Sequence, residues 1–484
     1  MNFAIVLRRL GLSLLGFAPF MLTPLVVAAL HGEVRLFRPF IDAGAIVALA
    51  GLLAWFAARK AAGAMRLREG FLFITLFWCV LSLAATLPLL FTGALHLPFV
   101  SAFFEAVSGL TGTGATVITG LDALPRAILW YRVQLQWLGG FAVAVIALAA
   151  LPVLNVGGMQ LYRGDPLNPT RQDRILPRAR DIARAFIIVY LLLTMACASA
   201  YWFAGMQPFD AIAHALTTVS TGGFSTHDSN LAWFQNDAVE MVAIFFMLAG
   251  GISFAVHLFA LRRLDPGIYW KHAETRLFIV LVLWMSLLAA AYLLSHHHTA
   301  SVFDVTLNAV FQVVSIMTTS GFRTEHYADW PGFLPVLLIF IGIMGACAGS
   351  AGGGMKVFRV ALVWLQGLRE LRLLVHPASE APVKFAGRLA NASVVEAVWG
   401  FFAAYTLLYT LLMLLFMSSG LDQVSAFSAV AATLNNLGPG LGEVASNFAA
   451  VPVAAKWVGI IAMILGRVEI FVVAVLFTAE FWRH

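Results

Sequence analysis

Hydrophobic runs long enough to cross a bilayer alternate along this chain with runs that are too short. Residues 11–30 and 41–58 predict a helical hairpin with an outer turn at 31–39. One unit then recurs four times: a long apolar run, a short one, a loop of small and polar residues holding a glycine, and a long run back. The long runs are 71–95 and about 129–155, 185–205 and 237–261, 277–295 and 333–363, and 394–418 and 453–481. Each has the roughly 20 apolar residues that a spanning helix needs. The short runs, 100–111, 209–219, 303–318 and 423–434, do not, so they predict half-helices that enter and turn back. Non-helical backbone at membrane depth survives only when buried in protein or lining a wet cavity. Four such loops therefore need a common axis.

The loops share a grammar. They read Thr111, Gly112, Thr113, Gly114; Ser220, Thr221, Gly222, Gly223; Thr318, Thr319, Ser320, Gly321; and Asn435, Asn436, Leu437, Gly438. The last glycine of each is the anchor, and the anchors lie 109, 98 and 117 residues apart. Repeats of this length point to fourfold pseudo-symmetry within one chain.

Composition agrees. Of 484 residues, 61% are hydrophobic and only 11% charged, with mean hydropathy +0.89. Soluble domains carry about 25% charged residues, so this is a polytopic membrane protein. Cys79, Cys197 and Cys347 sit in apolar surroundings and form neither a disulfide framework nor a metal spacing. Arg8 and Arg9 before an apolar run imitate a signal peptide, but no small-residue cleavage site follows, so a retained first helix is expected. Basic residues cluster at 8–9, 59–68, 163–184, 262–276, 356–388 and 483, which together hold 23 of the 30. The opposite loops hold Arg35, Arg38, Arg126, Arg132, Arg323 and Lys456. The positive-inside rule puts the clusters and both termini in the cytoplasm. Orientation accounts for the net charge of +6, and no nucleic-acid partner is needed.

The loops suit a dehydrated monovalent cation. Backbone carbonyls replace its water oxygens, glycine permits the dihedrals that turn them inward, and Thr, Ser or Asn side chains add ligands or braces. Half-helix C-termini aim their partial negative charge at the same place. No carboxylate lies in the loops, which disfavours a divalent filter. Glu105, Asp122, Asp210, Asp228, Asp304, Glu325, Asp329, Asp422 and Glu443 lie on the outer side, as solvated loop residues or as a field that gathers cations.

At this point the chain resembles the Trk/Ktr/HKT superfamily of potassium transporters, from the first hairpin to the C-terminus. Besides the loops, the resemblance rests on Trp137-Leu138-Gly139-Gly140, on the motif from Leu151 to Leu161, on Cys347-Ala348-Gly349-Ser350-Ala351-Gly352-Gly353-Gly354-Met355-Lys356, and on Gly466-Arg467-Val468-Glu469-Ile470. It implies an all-α integral membrane fold: four potassium-channel-like M1–P–M2 repeats around one pseudo-fourfold pore, plus an N-terminal helix pair. The units are then 1–62 (hairpin), 63–162, 163–265, 266–376 and 377–484. It also implies a homodimer, membrane lipid around it, a cytosolic nucleotide-binding regulatory subunit of the TrkA type, and K⁺ as transported ion with no cofactor. In the HKT branch, serine at the first-loop glycine accompanies sodium preference; Gly114 stands here, which favours K⁺ and Rb⁺. Gly112 and Ser320 depart from the threonines expected at those places.

Residues 342–356 interrupt the third returning helix with Gly342, Gly345, Gly349, Gly352, Gly353 and Gly354. Each costs a helix about 1 kcal/mol against Ala. A nucleotide-binding P-loop fails here, because Val357 is not Ser or Thr and no strand precedes Lys356. In the resembled family such an intramembrane loop is the gate. Arg467 lies inside the last span, where a charge is a functional residue by default; it is expected to line the pore below the filter and help closure, with a structural pairing as the alternative. Glu469 is too close in sequence to face it. His296, His297 and His298 read as a solvated loop end. Two rivals stay open: a Na⁺ or mixed-cation pathway, and a coupled symporter, for which no Asp/Glu/His relay is evident. An intramembrane enzyme finds no support, since the histidines are scattered and no H-x-x-x-x-D pattern occurs.

Overall fold

The computed structural model describes residues 1–61, 63, 65–149, 179–296, 301–379, 381–385 and 388–483. The motif from Leu151 to Leu161, most of the basic link 163–184, and His297 and His298 lie outside the described residues. The fold is all-α, with one two-residue hairpin pairing Lys384–Phe385 to Arg388–Leu389.

Helices α1 (Phe3–Phe17) and α2 (Thr23–Leu30), joined by a 3₁₀ turn into one stretch, form the N-terminal pair with α3 (Phe37–Ala57). Close approach of α1 to α3 depends on small residues, since a Cβ on Gly11 would lie 2.8 Å from the Gly51 carbonyl oxygen. Helix α4 (Leu67–Phe91) follows. Its first turn is closed by the Glu69 carboxylate, which accepts from the Arg66 and Asn2 N–H groups at 2.8 Å each.

The short helix α5 (Phe99–Thr111) and α6 (Arg126–Ala149) complete the first unit. The second holds α7 (Ala179–Phe203), α8 (Pro208–Val219), α9 (Asp237–Gly251) and α10 (Phe254–Arg263). After the short α11 (Gly267–Lys271), the third holds α12 (Ala273–His296), α13 (Val302–Met317), α14 (Leu334–Met344) and α15 (Val357–Val375). The fourth holds α16 (Ala392–Ser418), α17 (Gln423–Leu434), α18 (Val453–Val468) and α19 (Ile470–Ala474), followed by α20 (Ala479–Trp482). At 1.5 Å per residue the 13 residues of α5 reach only about 20 Å, well short of a roughly 30 Å bilayer core.

Among the described residues, six helical stretches are long and apolar enough to cross a membrane. Two returning spans expected as continuous, 237–261 and 453–481, are broken instead. The chain bends by 98° between α9 and α10 and by 106° after α18. At the second break Glu469 sits at φ 75, and Lys356, which opens α15, sits at φ 78. Positive φ at both residues ends one helix and redirects the next.

Candidate functional site: four glycine loops and the loop beneath them

Each short helix ends the same way. The residue before the anchoring glycine donates its N–H five residues back: Thr113 to Ser108 O, Gly222 to Thr217 O, Ser320 to Ser315 O and Leu437 to Ala432 O, all at 2.8–2.9 Å. This is the 6→1 closure of a Schellman turn. It requires a left-handed residue just before, and Gly112, Thr221, Thr319 and Asn436 hold φ values of 66, 51, 57 and 53. For threonine that conformation costs on the order of 1–3 kcal/mol and persists only when the surroundings enforce it. Gly112, where threonine was expected, meets the same demand without strain.

The four loops touch in a closed cycle. A Cβ on Gly114 would fall 2.3 Å from Gly222 O, one on Gly223 2.0 Å from Ser320 O, one on Gly321 2.2 Å from Leu437 O, and one on Gly438 2.7 Å from Thr113 O. Every anchoring glycine thus abuts the carbonyl preceding the next anchor, and the fourth returns to the first. No side chain fits at any of them. Side chains also link the loop residues: the Thr111 and Thr113 hydroxyls lie 2.7 Å apart, the Thr318 and Ser320 hydroxyls 2.9 Å apart, and Asn436 donates to the Thr113 hydroxyl at 2.9 Å.

A polar contact behind the loops repeats as well. Nine residues before Gly114, Gly223 and Gly321 stand Glu105, His214 and Gln312. Each reaches across to the outward limb of its own loop. The Thr116 hydroxyl donates to Glu105 at 3.0 Å, His214 Nε2 and the Ser225 hydroxyl lie 2.9 Å apart, and Gln312 donates to Glu325 O at 3.3 Å. In the fourth unit Ala429 cannot do this, and the neighbouring Ser428 hydroxyl accepts from Leu441 N–H at 2.8 Å.

Above the ring opens a cavity of about 410 Å³, lined by all four anchoring glycines together with Arg132, His227, Asp228, Arg323 and Glu325. His227 bridges the Asp122 and Asp210 carboxylates there and stacks on Trp233 at 4.4 Å. Burial pulls its imidazole pKa down, but the two carboxylates more than reverse this and leave it raised. Among the described residues no group of three His, Cys, Asp or Glu side chains is placed to hold a metal ion.

Below the ring runs the segment between α14 and α15, non-helical from Gly345 rather than from Gly342, since α14 continues to Met344, and almost wholly buried. Cys347 and Ala351 donate N–H to Gly251 O and Gly250 O at 3.0 and 3.3 Å. Gly353 donates to the Thr319 hydroxyl at 2.6 Å and Gly354 to Asn435 O at 3.1 Å. Phe254 N–H donates to Gly349 O at 3.1 Å, and the Lys356 ammonium donates to Gly352 O. Gly345 lets the segment fold back, since a Cβ there would lie 2.4 Å from Gly353 O. Arg467, from the end of α18, donates to Ala351 O at 2.9 Å, and a Cβ on Gly112 would lie 3.4 Å from its Nη2. A small cavity of about 60 Å³ is left between Asn435, Asn436, Gly353, Lys356 and Arg467. Glu469 turns away from Arg467 and pairs with Arg359 at 2.8 Å.

A family profile for TrkH, described as a cation transport protein, matches residues 38–483. The chain belongs to the TrkH family of cation transport proteins. This is a membrane-spanning transporter family, not an enzyme family. The chain is 47% identical to the Trk system potassium uptake protein TrkH of Vibrio parahaemolyticus, over 100% of both chains. It is 43% identical to that of Escherichia coli strain K12, again over 100% of both, and 38% identical to TrkG of the same strain over 96% of this chain and 95% of TrkG. A crystal structure of the potassium transporter TrkH from Vibrio parahaemolyticus superposes with a TM-score of 0.93, at 46% identity and 100% coverage of both chains.

Within this transporter fold, two residues do not sit where a linear charge map puts them. Arg132, counted among the outer loops, and Glu105, grouped with the outer acids, are each 1% exposed and paired at 2.8 Å. The Arg132 guanidinium also lies 4.4 Å over the Phe224 ring, next to the second anchoring glycine. The signal for Glu105 was in the sequence, as one polar residue at the same offset from three anchoring glycines. Gln136, which meets the second loop from α6, carried no such signal.

Proposed function

We infer that this chain is the membrane pathway of a bacterial potassium uptake system, carrying K⁺, with Rb⁺ as surrogate, across the inner membrane through the four glycine loops. The observation that carries this reading is the cycle in which each anchoring glycine abuts the next loop's carbonyl. A ring of neutral backbone oxygens with no carboxylate in it suits a dehydrated monovalent cation. The relatives named as potassium uptake proteins over the full length favour K⁺ as that ion.

The filter on this reading is Thr111–Gly114, 220–223, 318–321 and 435–438, one stretch from each of the four M1–P–M2 units after the hairpin 1–62. The gate is the loop 342–356, non-helical from Gly345, with Gly345, Gly349, Gly352, Gly353, Gly354 and Lys356, latched by Arg467. A buried guanidinium beneath the ring raises the barrier to a cation. On this reading, which the basic clusters favour, both termini are cytoplasmic and a TrkA-type nucleotide-binding subunit docks there on a homodimer.

Rb⁺ uptake into proteoliposomes holding the purified chain tests this, with K⁺, Na⁺ and Li⁺ as competitors and at two pH gradients. Flux blocked by K⁺ and hardly by Na⁺, following the electrical gradient, supports a gated K⁺ pore. Flux driven by the pH gradient keeps the loops and replaces the pore with a symporter. Flux blocked equally by Na⁺ and K⁺ overturns the selective ring.

A further inference from the structure

Resting on the reading of the four loops as a filter, we propose that Gln136 is a specificity-determining residue, whose carboxamide holds the Gly222 carbonyl and tilts the ring toward the larger cation. Gln136 lies on α6 and is fully buried. Its Nε2 donates to Gly222 O at 2.6 Å, and its Oε1 accepts from Phe224 N–H at 3.0 Å. The pair fixes the amide orientation, because the flipped amide would set oxygen against oxygen and N–H against N–H.

Gly222 O is the carbonyl that faces Gly114 in the cycle. Its three counterparts are the carbonyls of Thr113, Ser320 and Leu437. Among the described residues none of those three accepts a hydrogen bond. One carbonyl of the four is therefore fixed and partly engaged before an ion arrives.

The other units show that packing does not ask for an amide here. Gly139 on α6, Gly250 on α9 and Gly466 on α18 are equivalent: a Cβ on each would collide with the carbonyl that ends its own short helix, at 1.8 Å from Leu110 O, 2.9 Å from Val219 O and 1.9 Å from Leu434 O. Three residues earlier stand Gln136, Met247 and Met463, all 0% exposed. Methionine fills the place in two units. A buried amide costs free energy unless both its ends are bonded, and both ends of this one meet the filter backbone.

The effect follows from ligand strength. A carbonyl with both lone pairs free, on a loop free to close in, is the better ligand for the smaller, harder Na⁺. A donor already on that oxygen weakens its field and fixes its position, which favours K⁺.

The test uses the full chain in proteoliposomes, with Rb⁺ influx titrated by K⁺ and by Na⁺. Gln136→Met installs the side chain that the second and fourth units carry, and conserves volume. Its Rb⁺ influx and K⁺ inhibition should persist, while the Na⁺ concentration that halves influx falls roughly fivefold, equivalent to about 1 kcal/mol for one hydrogen bond. Gln136→Leu removes the amide donor without introducing a charge or a new donor; it should shift in the same direction, and it carries the test where the methionine variant is not recovered folded. Lower thermal stability with an unchanged Na⁺-to-K⁺ ratio in both variants overturns the proposal and leaves the filter reading standing. Wild-type influx blocked equally by Na⁺ and K⁺ overturns the filter reading, and the proposal with it.

Discussion

Glu105 and Arg132 meet at 2.8 Å with both side chains 1% exposed, and together they tie the first glycine loop to the second. Glu105 also accepts from Val117 N–H at 2.9 Å and from the Thr116 hydroxyl at 3.0 Å, while Arg132 covers the Phe224 ring. Removing one partner leaves a buried charge without compensation, which costs about 3–5 kcal/mol. Arg132→Met should therefore destabilise the protein more than Glu105→Gln/Arg132→Met does. Thermal unfolding of the single and double variants measures this. A double variant as unstable as the sum of the two singles would mean the pair does not act as a unit.

The anchoring glycines and Gly112 should respond differently, although all have positive φ. On Gly223 a Cβ would sit 2.0 Å from the Ser320 carbonyl oxygen, a backbone atom with nowhere to go. Gly223→Ala should abolish Rb⁺ influx. On Gly112 the nearest atom to a Cβ is Arg467 Nη2 at 3.4 Å, the far end of a flexible side chain. Threonine already occupies the equivalent place at Thr221 and Thr319. Gly112→Thr should fold, at a cost on the order of 1–3 kcal/mol for its φ, and should raise influx without a partner subunit by pressing on Arg467. Influx and recovery of folded protein from each variant separate the two cases.

How far this site could be read in advance depended on whether the signal was local. The four loops were legible because a half-helix that turns back repeats a glycine at a fixed place after it, and the inner loop because six glycines crowd the fifteen residues 342–356. The breaks after α9 and α18 were not. Gly250-Gly251-Ile252-Ser253 reads as a small and apolar stretch that a membrane helix could continue through, the two charges of Gly466-Arg467-Val468-Glu469 do not by themselves end a helix, and the redirecting φ of Glu469 belongs to the backbone alone. Arg132 was misplaced for a related reason: charge along a chain does not reveal that a partner 27 residues earlier takes it out of solvent. Glu105, His214 and Gln312 become visible only when the four units are aligned on their glycines. Gln136 has methionine counterparts in two units, so even that alignment gives it no repeated polar signal.

The outer clasp should give stability a pH dependence of defined sign. His227 is held between Asp122 and Asp210, and the Asp228 N–H also reaches Asp122, at 3.4 Å. Its folded pKa is raised above the unfolded value of about 6.5. The stabilisation is therefore fully present below about pH 6.5 and is lost as pH rises through the folded value. Asp122 is shifted down, as its bonds from His227 and Asp228 outweigh the burial that pushes it up. Its contribution is lost only in acid, below about pH 4, outside this window. The unfolding temperature of wild type minus that of His227→Gln should be positive at pH 5–6 and shrink toward zero by pH 9. A difference that stays flat across that range would mean the imidazolium does not hold the two loops together.

Arg467 occupies a place that two other units give to glycine. It follows Gly466 as Gly140 follows Gly139 and Gly251 follows Gly250. Those second glycines pack against the next loop, with a Cβ on Gly140 2.7 Å from Ser220 Cβ and one on Gly251 2.9 Å from Thr318 Cγ2. In the fourth unit the same position sends a guanidinium to Ala351 O at 2.9 Å and leaves Nε and Nη2 without a partner among the described residues. The single bond to the inner loop is charge-assisted and worth about 1.5–3 kcal/mol. On the filter reading, Arg467→Gly, which restores the pattern of those two units, should therefore raise Rb⁺ influx without a partner subunit by roughly tenfold, by releasing the loop and removing a positive charge from beneath the ring. Arg467→Lys keeps the charge but not the planar fork, and should fall between. Proteoliposome influx with and without the partner subunit decides it: unchanged influx and unchanged partner dependence in Arg467→Gly would show that the arginine only fills space beneath the ring.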